Sequence, residues 1–526
     1  MTTRHIQLAD ILETMADAIP DRVALHAGHV TLTYAELDER ATRLAHHLAA
    51  NGVGHGDHVG VHSTNRAEWV ETYYACFKLR AVPININYRY VESELRYLYD
   101  NSDCVAIVVG PDFVDVVEAV RDTMPDLRLV LVMGDDYEAA LAAASPDRDF
   151  GERSADDIYI VYTGGTTGMP KGVIWRHGDL VPGALNAFRM GADVDSTERL
   201  AAEAAANNPT TLMFMGPMMH GGCQWALGTI HLIGGAFVLY CEPRFDADVV
   251  LEMAERLKVD ALSVIGDAMG RPIAERILDP HKPRYDLTGI FAISNGAAPL
   301  TPGVRKKLRA AFPTSILTDG YGSSETGTTG VGTDPVDHAS PRFTIGPETT
   351  VFAEDFTVAP VGETGLLARS GHIPLGYLKD EEKTTATFPV VDGTRWVIPG
   401  DHARREEEGS ITLLGRGSGS INSGGEKIFP EEVEAALMQH EGITDAVVVG
   451  TPHERWGQQV TALVQRTDGA NVEVDELRAH CKTLIADYKA PKEVLFVDHV
   501  VRTPVGKLDY TNAKATANRA LGIEED

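Results

Sequence analysis

Tyr162-Thr163-Gly164-Gly165-Thr166-Thr167-Gly168-Met169-Pro170-Lys171-Gly172-Val173 follows a short apolar run, Ile158 to Val161, that reads as a strand. Three glycines and three threonines fill the six positions Thr163 to Gly168. Glycine lets a backbone adopt positive φ and approach a ligand closely. Successive N–H groups in such a turn cradle phosphate oxygens. The threonine hydroxyls add donors, and Lys171 adds a mobile positive charge. The string suits a loop that holds a polyphosphate, although Gly/Thr-rich loops are also found as plain surface turns. It is not a Walker A loop, which needs Gly-Lys-Ser/Thr opening a helix. Here Pro170 precedes Lys171 and Gly172 follows it. No G-x-G-x-x-G dinucleotide fingerprint follows the strand either.

The chain has 526 residues, which is long for one compact domain. Its hydrophobic fraction, 44%, suffices for a large core. The formal net charge of −29 argues against nucleic-acid binding, which needs a basic footprint. It also disfavours an electrostatic hold on anionic lipid. Any anionic ligand must be held by local groups against the overall field. The five cysteines are scattered, without C-x-x-C spacing, which suits a reducing compartment and gives no structural zinc. Met1 to Ala16 has no continuous apolar segment of signal-peptide type. No apolar run reaches the roughly 20 residues that span a bilayer. The expectation is a cytoplasmic protein.

Helical periodicity covers Leu8–Ala18, Ala35–Asn51, Glu68–Leu79 and Glu92–Asn101. Apolar strand-like runs lie at Val59–His62, Val105–Val109, Leu129–Met133, Thr211–Met215, Ala236–Tyr240 and Ile290–Ser294. This alternation predicts an α/β fold, with layered, mainly parallel sheets and helices in a large N-terminal part. Gly191–Asn208 reads as a polar interruption, a surface loop or short helix. Gly415-Arg416-Gly417-Ser418-Gly419-Ser420 is the main composition break and reads as a flexible linker. The expected division is residues 1–415, a hinge at 416–420, and a small mobile α+β unit over 421–526.

Other strings carry chemistry. Asp319-Gly320-Tyr321-Gly322-Ser323-Ser324-Glu325 places an aromatic between two glycines, where it can stack on a planar base. Hydroxyls beyond it can reach phosphate, and Glu325 can hold Mg²⁺, which prefers carboxylate and phosphate oxygens. Gly296-Ala297-Ala298 follows a strand, and such small residues let a flat ring lie on backbone. Asp401, after Pro399-Gly400, can accept hydrogen bonds from ribose hydroxyls. Each of these, taken alone, is also an ordinary turn. Lys507 sits in Thr503-Pro504-Val505-Gly506-Lys507, and His220 stands in Met218-Met219-His220-Gly221-Gly222-Cys223.

Together and in this order, these strings resemble the AMP-forming adenylating enzymes: acyl-CoA synthetases, stand-alone adenylation domains and luciferases. The resemblance covers nearly the whole chain. It implies that Thr163, Gly164, Gly165, Thr166, Thr167, Gly168 and Lys171 hold the phosphates of ATP. It places adenine against Gly296, Ala297, Ala298, Asp319, Gly320, Tyr321 and Gly322, with Ser324 on phosphate and Glu325 on Mg²⁺. Asp401 and Arg416 become the ribose contacts, and Ser423, Gly424 and Gly425 face the acceptor thiol. Lys507 bridges the substrate carboxylate and the α-phosphate, and His220 gates the acyl pocket. Two positions depart from the pattern: Pro399 replaces the usual Thr, and Gly419 stands where the hinge usually has Asp or Lys. The implied reaction forms acyl-AMP and pyrophosphate, then a thioester with coenzyme A. Gly216–Gly228 holds no Asp or Glu, whereas amino-acid-activating relatives carry an Asp there, so an acid without an α-amino group is expected. Lys427 and its surroundings look similar to an actinobacterial branch that handles fatty acids and steroid side-chain acids. The first expectation is therefore a medium- to long-chain or bulky alicyclic acid. An aryl acid is the second, and a luciferase-like oxygenase the alternative chemistry. A homo-oligomer stays open.

Overall fold

The computed structural model describes residues 6–165, 168–186, 196–298, 300–333, 342–416, 419–423, 426–453, 456–485, 487–503 and 508–523. Local rules account for the early helices. Thr33 caps Tyr34–Ala50: its hydroxyl accepts from Glu36 N at 3.2 Å, and Glu36 accepts from Thr33 N at 2.8 Å. This reciprocal pair satisfies donors that the first helical turn leaves open. The helix buries Leu37, Ala41, Leu44, Ala45 and Leu48, the stripe expected of a 3.6-residue period.

Strands with continuous apolar runs lie inside. All six residues of Cys104–Val109 are buried, as in a parallel sheet covered on both faces. That strand belongs to a four-stranded parallel sheet, in the spatial order Val82–Asn85, His58–His62, Cys104–Val109, Leu129–Val132. A second sheet has thirteen strands. Its parallel half runs Ile316–Ser323, Ala292–Asn295, Ala261–Val264, Thr211–Phe214, Ala236–Leu239, Val23–Ala27. From Gly327–Thr333 onward the sheet continues antiparallel, ending with Thr364–Arg369 and Thr349–Phe352. Apart from two antiparallel pairs, Val23–Ala27 with Val30–Thr33 and Ile158–Gly165 with Gly168–Arg176, the parallel expectation holds to about residue 323. Beyond it, short polar strands joined by tight turns form an antiparallel extension that helical periodicity could not signal. The Gly191–Asn208 interruption contains a helix, Thr197–Ala206, started by Ser196 and anchored by buried Leu200 and Ala204.

The large sheet's strand Ile411–Arg416 is followed by a separate five-stranded sheet that begins at Ile421–Ser423. Its long hairpin, Ile443–His453 with Gly457–Arg466, packs on Pro430–Leu437 and Tyr510–Ala520. Arg271 reaches across from the large part and donates to the Thr444 carbonyl at 3.2 Å.

Glu434 lies beneath this hairpin at 3% exposure. It accepts from Val448 N at 2.8 Å and from the Tyr510 hydroxyl at 3.0 Å. Burial, and then the neighbouring Glu431 carboxylate, push its carboxyl well above the ordinary glutamate range. A folded-state pKa above the unfolded one favours folding below the unfolded value, about 4.3. That contribution is lost as pH rises toward the folded value. Glu434→Gln keeps both partners, since the amide oxygen accepts from Val448 and the amide nitrogen donates to Tyr510. We expect its thermal midpoint to lie nearest the parent's below about pH 4 and to exceed it by more at pH 8. Melting curves at both pH values check this; a variant less stable than the parent at pH 8 contradicts it.

Candidate active site

The carboxyl ends of the parallel strands open into one cavity of about 2710 Å³. Ligands of open α/β sheets bind at this edge. Met215 and Gly216, Ile265, Gly296 and Ala297, and Gly320 to Ser323 all line it from adjacent strand ends. The strand ends are locked together by polar side chains. Asn295 donates to Asp319 at 2.8 Å and to the Ala298 carbonyl at 3.0 Å, and accepts from Gly266 N at 2.8 Å. Arg305 pairs with the other Asp319 oxygen at 2.6 Å. Asp319 thus lines the cavity while its carboxylate holds protein groups.

The Gly/Thr string is the turn of an antiparallel hairpin, Ile158–Gly165 with Gly168–Arg176. Thr166 and Thr167 lie outside the described residues. Asn85 fixes the hairpin. It accepts from Tyr162 N at 2.8 Å and donates to the Tyr162 carbonyl at 2.9 Å. Its amide also donates to the Met219 carbonyl at 2.6 Å, next to His220. Gly221 marks where three predicted strings converge: a Cβ there would lie 3.1 Å from Val161 and 3.8 Å from the Ser324 hydroxyl.

From the hairpin's second strand, Trp175 donates to the Ser324 carbonyl at 2.9 Å. Glu325 accepts from the Tyr377 hydroxyl at 3.1 Å. Lys171 Nζ pairs with Asp380 at 2.7 Å and stands 5.6 Å from the centre of the Tyr377 ring. Among the described residues no group of three or more His, Cys, Asp or Glu is placed to hold a metal ion. A single carboxylate beside a phosphate cradle is nevertheless a donor set that suits Mg²⁺, which takes one or two carboxylates plus phosphate oxygens.

On the other side, Ala297 adopts φ +62, a left-handed backbone rarely held by a side-chain-bearing residue. A Cβ at Gly296 or Gly320 would meet nothing closer than a backbone oxygen at 3.9 or 3.8 Å, so the slot beside Tyr321 stays open. Tyr321 leans on Phe343, ring centres 5.5 Å apart. Gly322 does sit tightly, because a Cβ there would run into the Gly327 carbonyl. Asp401 is buried, follows Gly400 at φ +97, and faces Arg416 across the antiparallel strand pair. The two expected ribose contacts are therefore neighbours in register. The Arg416 side chain is outside the described part.

His220 is the residue before the helix Gly221–Leu232, whose first turn opens on the cavity. Helix N-termini favour anions such as a carboxylate. Apolar side chains continue the cavity past this point, among them Met215, Trp225, Ala226, Ile265 and Met269. A Cβ added at Gly222 would meet nothing within 4 Å, so the helix start leaves room. The small sheet faces the same cavity through Asp445, Arg502, Leu508 and Tyr510. Arg502 and Leu508 bridge to each other, and Arg502 pairs with Asp445 at 2.8 Å. Lys507, Gly424 and Gly425 lie outside the described residues. Ser423 ends a strand and pairs with Gly457; it is not among the described residues lining the cavity.

Sequence reasoning does not reveal Asn85, Asn295, Tyr377 or Asp380 as site residues. In the sequence, Pro83-Ile84-Asn85 reads only as the entry to a strand. Tyr377 and Asp380 arrive because Gly376–Tyr377 pairs with Val173 and Ile174, a contact between distant strands that no local pattern signals. No helix among the described residues is long and apolar enough to cross a membrane.

Residues 12–378 match the family described as AMP-binding enzyme, and residues 432–507 match the AMP-binding enzyme C-terminal domain. A 3-oxocholest-4-en-26-oate–CoA ligase of Rhodococcus rhodochrous is 45% identical, covering 97% of this chain and 95% of that protein. A medium/long-chain-fatty-acid–CoA/3-oxocholest-4-en-26-oate–CoA ligase of Mycobacterium marinum is 44% identical, covering 97% and 96%. Among solved structures, the anthranilate CoA ligase AuaEII in complex with anthranoyl-AMP superposes with TM-score 0.84 at 21% identity, over 98% of each chain. On these matches, the chain belongs to the AMP-binding enzyme family.

Proposed function

We propose that the protein joins a carboxylic acid to coenzyme A in two steps through an acyl-adenylate, releasing pyrophosphate and AMP. The observation that carries this is the meeting, at Gly221, of the phosphate hairpin, the Ser324–Glu325 turn and the start of an apolar chamber. A carboxylate held at the helix start faces the α-phosphorus of a nucleotide lying along the strand ends. Adenine occupies the slot between Gly296–Ala298 and Tyr321. Asp401 and Arg416 take the ribose hydroxyls. The hairpin from Thr163 through Thr166, Thr167 and Gly168 to Lys171 takes the phosphates. Glu325 would hold Mg²⁺, which when bound supplies positive charge to the phosphate oxygens.

The difficulty of the first step is repulsion between two anions. Preorganised positive groups are the usual answer, and they need no protein nucleophile. The carboxylate oxygen attacks the α-phosphorus, and pyrophosphate leaves. Lys507, one position before cavity-lining Leu508, reaches between carboxylate and α-phosphate. In the second step the coenzyme A sulfur attacks the acyl carbon and AMP leaves. Ser423, Gly424 and Gly425 serve that step, after the small unit turns about a hinge at 416–420. Gly419 gives that hinge wide backbone freedom.

The acyl group is a medium- to long-chain or bulky alicyclic acid. The capacious apolar chamber, the open Gly222 and the absence of an acid over Gly216–Gly228 support this, as do the names of the relatives at 44–45% identity. Pyrophosphate release on a panel of fatty, steroid side-chain, aryl and α-amino acids, with and without coenzyme A, tests it. We expect turnover with the first two classes and none with α-amino acids; preference for an α-amino or aryl acid contradicts the assignment. Lys507→Ala is expected to lower acyl-AMP formation at least about a hundredfold, the scale of losing a transition-state charge contact, and to spare thioester formation from supplied acyl-AMP. Equal loss in both half-reactions contradicts that role. Gly425→Leu is expected to do the reverse, and full coenzyme A-dependent turnover in it would count against a thiol path past this loop.

A further inference from the structure

Lys171 enters the cavity already partnered. Its Nζ lies 2.7 Å from Asp380 Oδ2. Asp380 is placed there by backbone: Gly376–Tyr377 forms the third strand beside the phosphate hairpin, and Asp380 follows three residues on. The other oxygen of the same carboxylate, Oδ1, accepts from Lys383 N at 2.9 Å and caps the helix Glu381–Thr387. The carboxylate is therefore tied to its own helix and cannot follow Lys171 when the lysine turns. Lys171 holds the Asp380 carboxyl below its ordinary range, so it is charged at neutral pH. Both side chains are about one-third exposed, 35% and 32%. Pairs of this kind are weak enough to exchange for a better anion.

We propose that Asp380 is a built-in counter-anion that competes with the phosphate chain for Lys171. The inference rests on the assignment of Lys171 to the phosphates above. An arriving polyphosphate breaks the Lys171–Asp380 pair and takes the ammonium. The fixed carboxylate weakens the grip on both ATP and pyrophosphate. It recaptures Lys171 when pyrophosphate departs, which favours product release in a site otherwise built to hold polyphosphate. Tyr377 marks the path: its ring lies under the lysine and its hydroxyl holds Glu325, so the cation moves over a fixed surface.

The test is equilibrium binding, by calorimetry on the whole chain, of magnesium pyrophosphate and of magnesium α,β-methylene-ATP, whose bridging carbon prevents transfer of its adenylyl group. Parent, Asp380→Asn, Lys171→Met and the double variant are compared. Asparagine removes the charge and remains a good helix cap; Asp380→Ser, also a capping residue, repeats the test should the amide misfold. Asp380→Asn is expected to bind both ligands about two- to fivefold tighter, the range of a solvent-accessible ion pair, and Lys171→Met to bind them more weakly. In the double variant the gain from Asp380→Asn is expected to vanish, since the coupling belongs to the pair. Unchanged or weaker binding in Asp380→Asn overturns the proposal, as does a gain of the same size without Lys171. Unaltered affinity in Lys171→Met overturns the phosphate assignment itself, which separates the two failures.

Discussion

Asn85 makes three backbone hydrogen bonds at 2.6 to 2.9 Å, and the site depends on them. Two clamp Tyr162, the strand residue just before the Gly/Thr string. The third holds Met219, next to the helix that opens the apolar chamber. One buried amide, 3% exposed, thus sets the distance between the proposed phosphate and acid positions. A buried amide with fixed partners is expensive to move, because any broken bond leaves a desolvated polar group. Such rigidity is what a reaction between two anions requires, since positioning and fixed dipoles supply most of the rate.

The strand-end slot is built on the same principle. Asn295, Asp319 and Arg305 form a set of charge-assisted contacts beneath the proposed nucleotide position. Asp319 lines the cavity while both its carboxylate oxygens hold protein groups. Its carboxylate is spent on aligning two strand ends, and the ring slot of Gly296, Ala297 and Gly320 rests on that alignment. Ala297 holds a left-handed conformation there, a local strain that the surrounding hydrogen bonds maintain.

The parallel half of the fold was legible in the sequence because buried strands and amphipathic helices write their periods directly, as in Cys104–Val109 and Tyr34–Ala50. Tyr321, Glu325 and Asp401 stand out in the sequence because they sit in or beside glycine turns, and all three line the cavity. The antiparallel extension after residue 323 was not legible, since its strands are short and partly polar. Asp380 and Tyr377 were invisible for a different reason: their relation to Lys171 exists only through pairing of distant strands. Asn85 sat inside an apolar run, where a single polar residue gives no sign of its partners. The helix Thr197–Ala206 lay in a stretch that reads as an interruption, although Ser196 is a good capping residue.

The central claim is that a triphosphate lies in the Thr163–Lys171 hairpin with its α-phosphorus toward the start of the Gly221–Leu232 helix. The most direct measurement is a crystal structure of the protein with magnesium α,β-methylene-ATP and a saturating fatty acid. The account predicts phosphate oxygens on the hairpin backbone, metal on Glu325, Lys171 turned from Asp380 to phosphate, and the acid carboxylate beside His220. Nucleotide density outside this hairpin, or an acid whose carboxylate points away from the α-phosphorus, would contradict it.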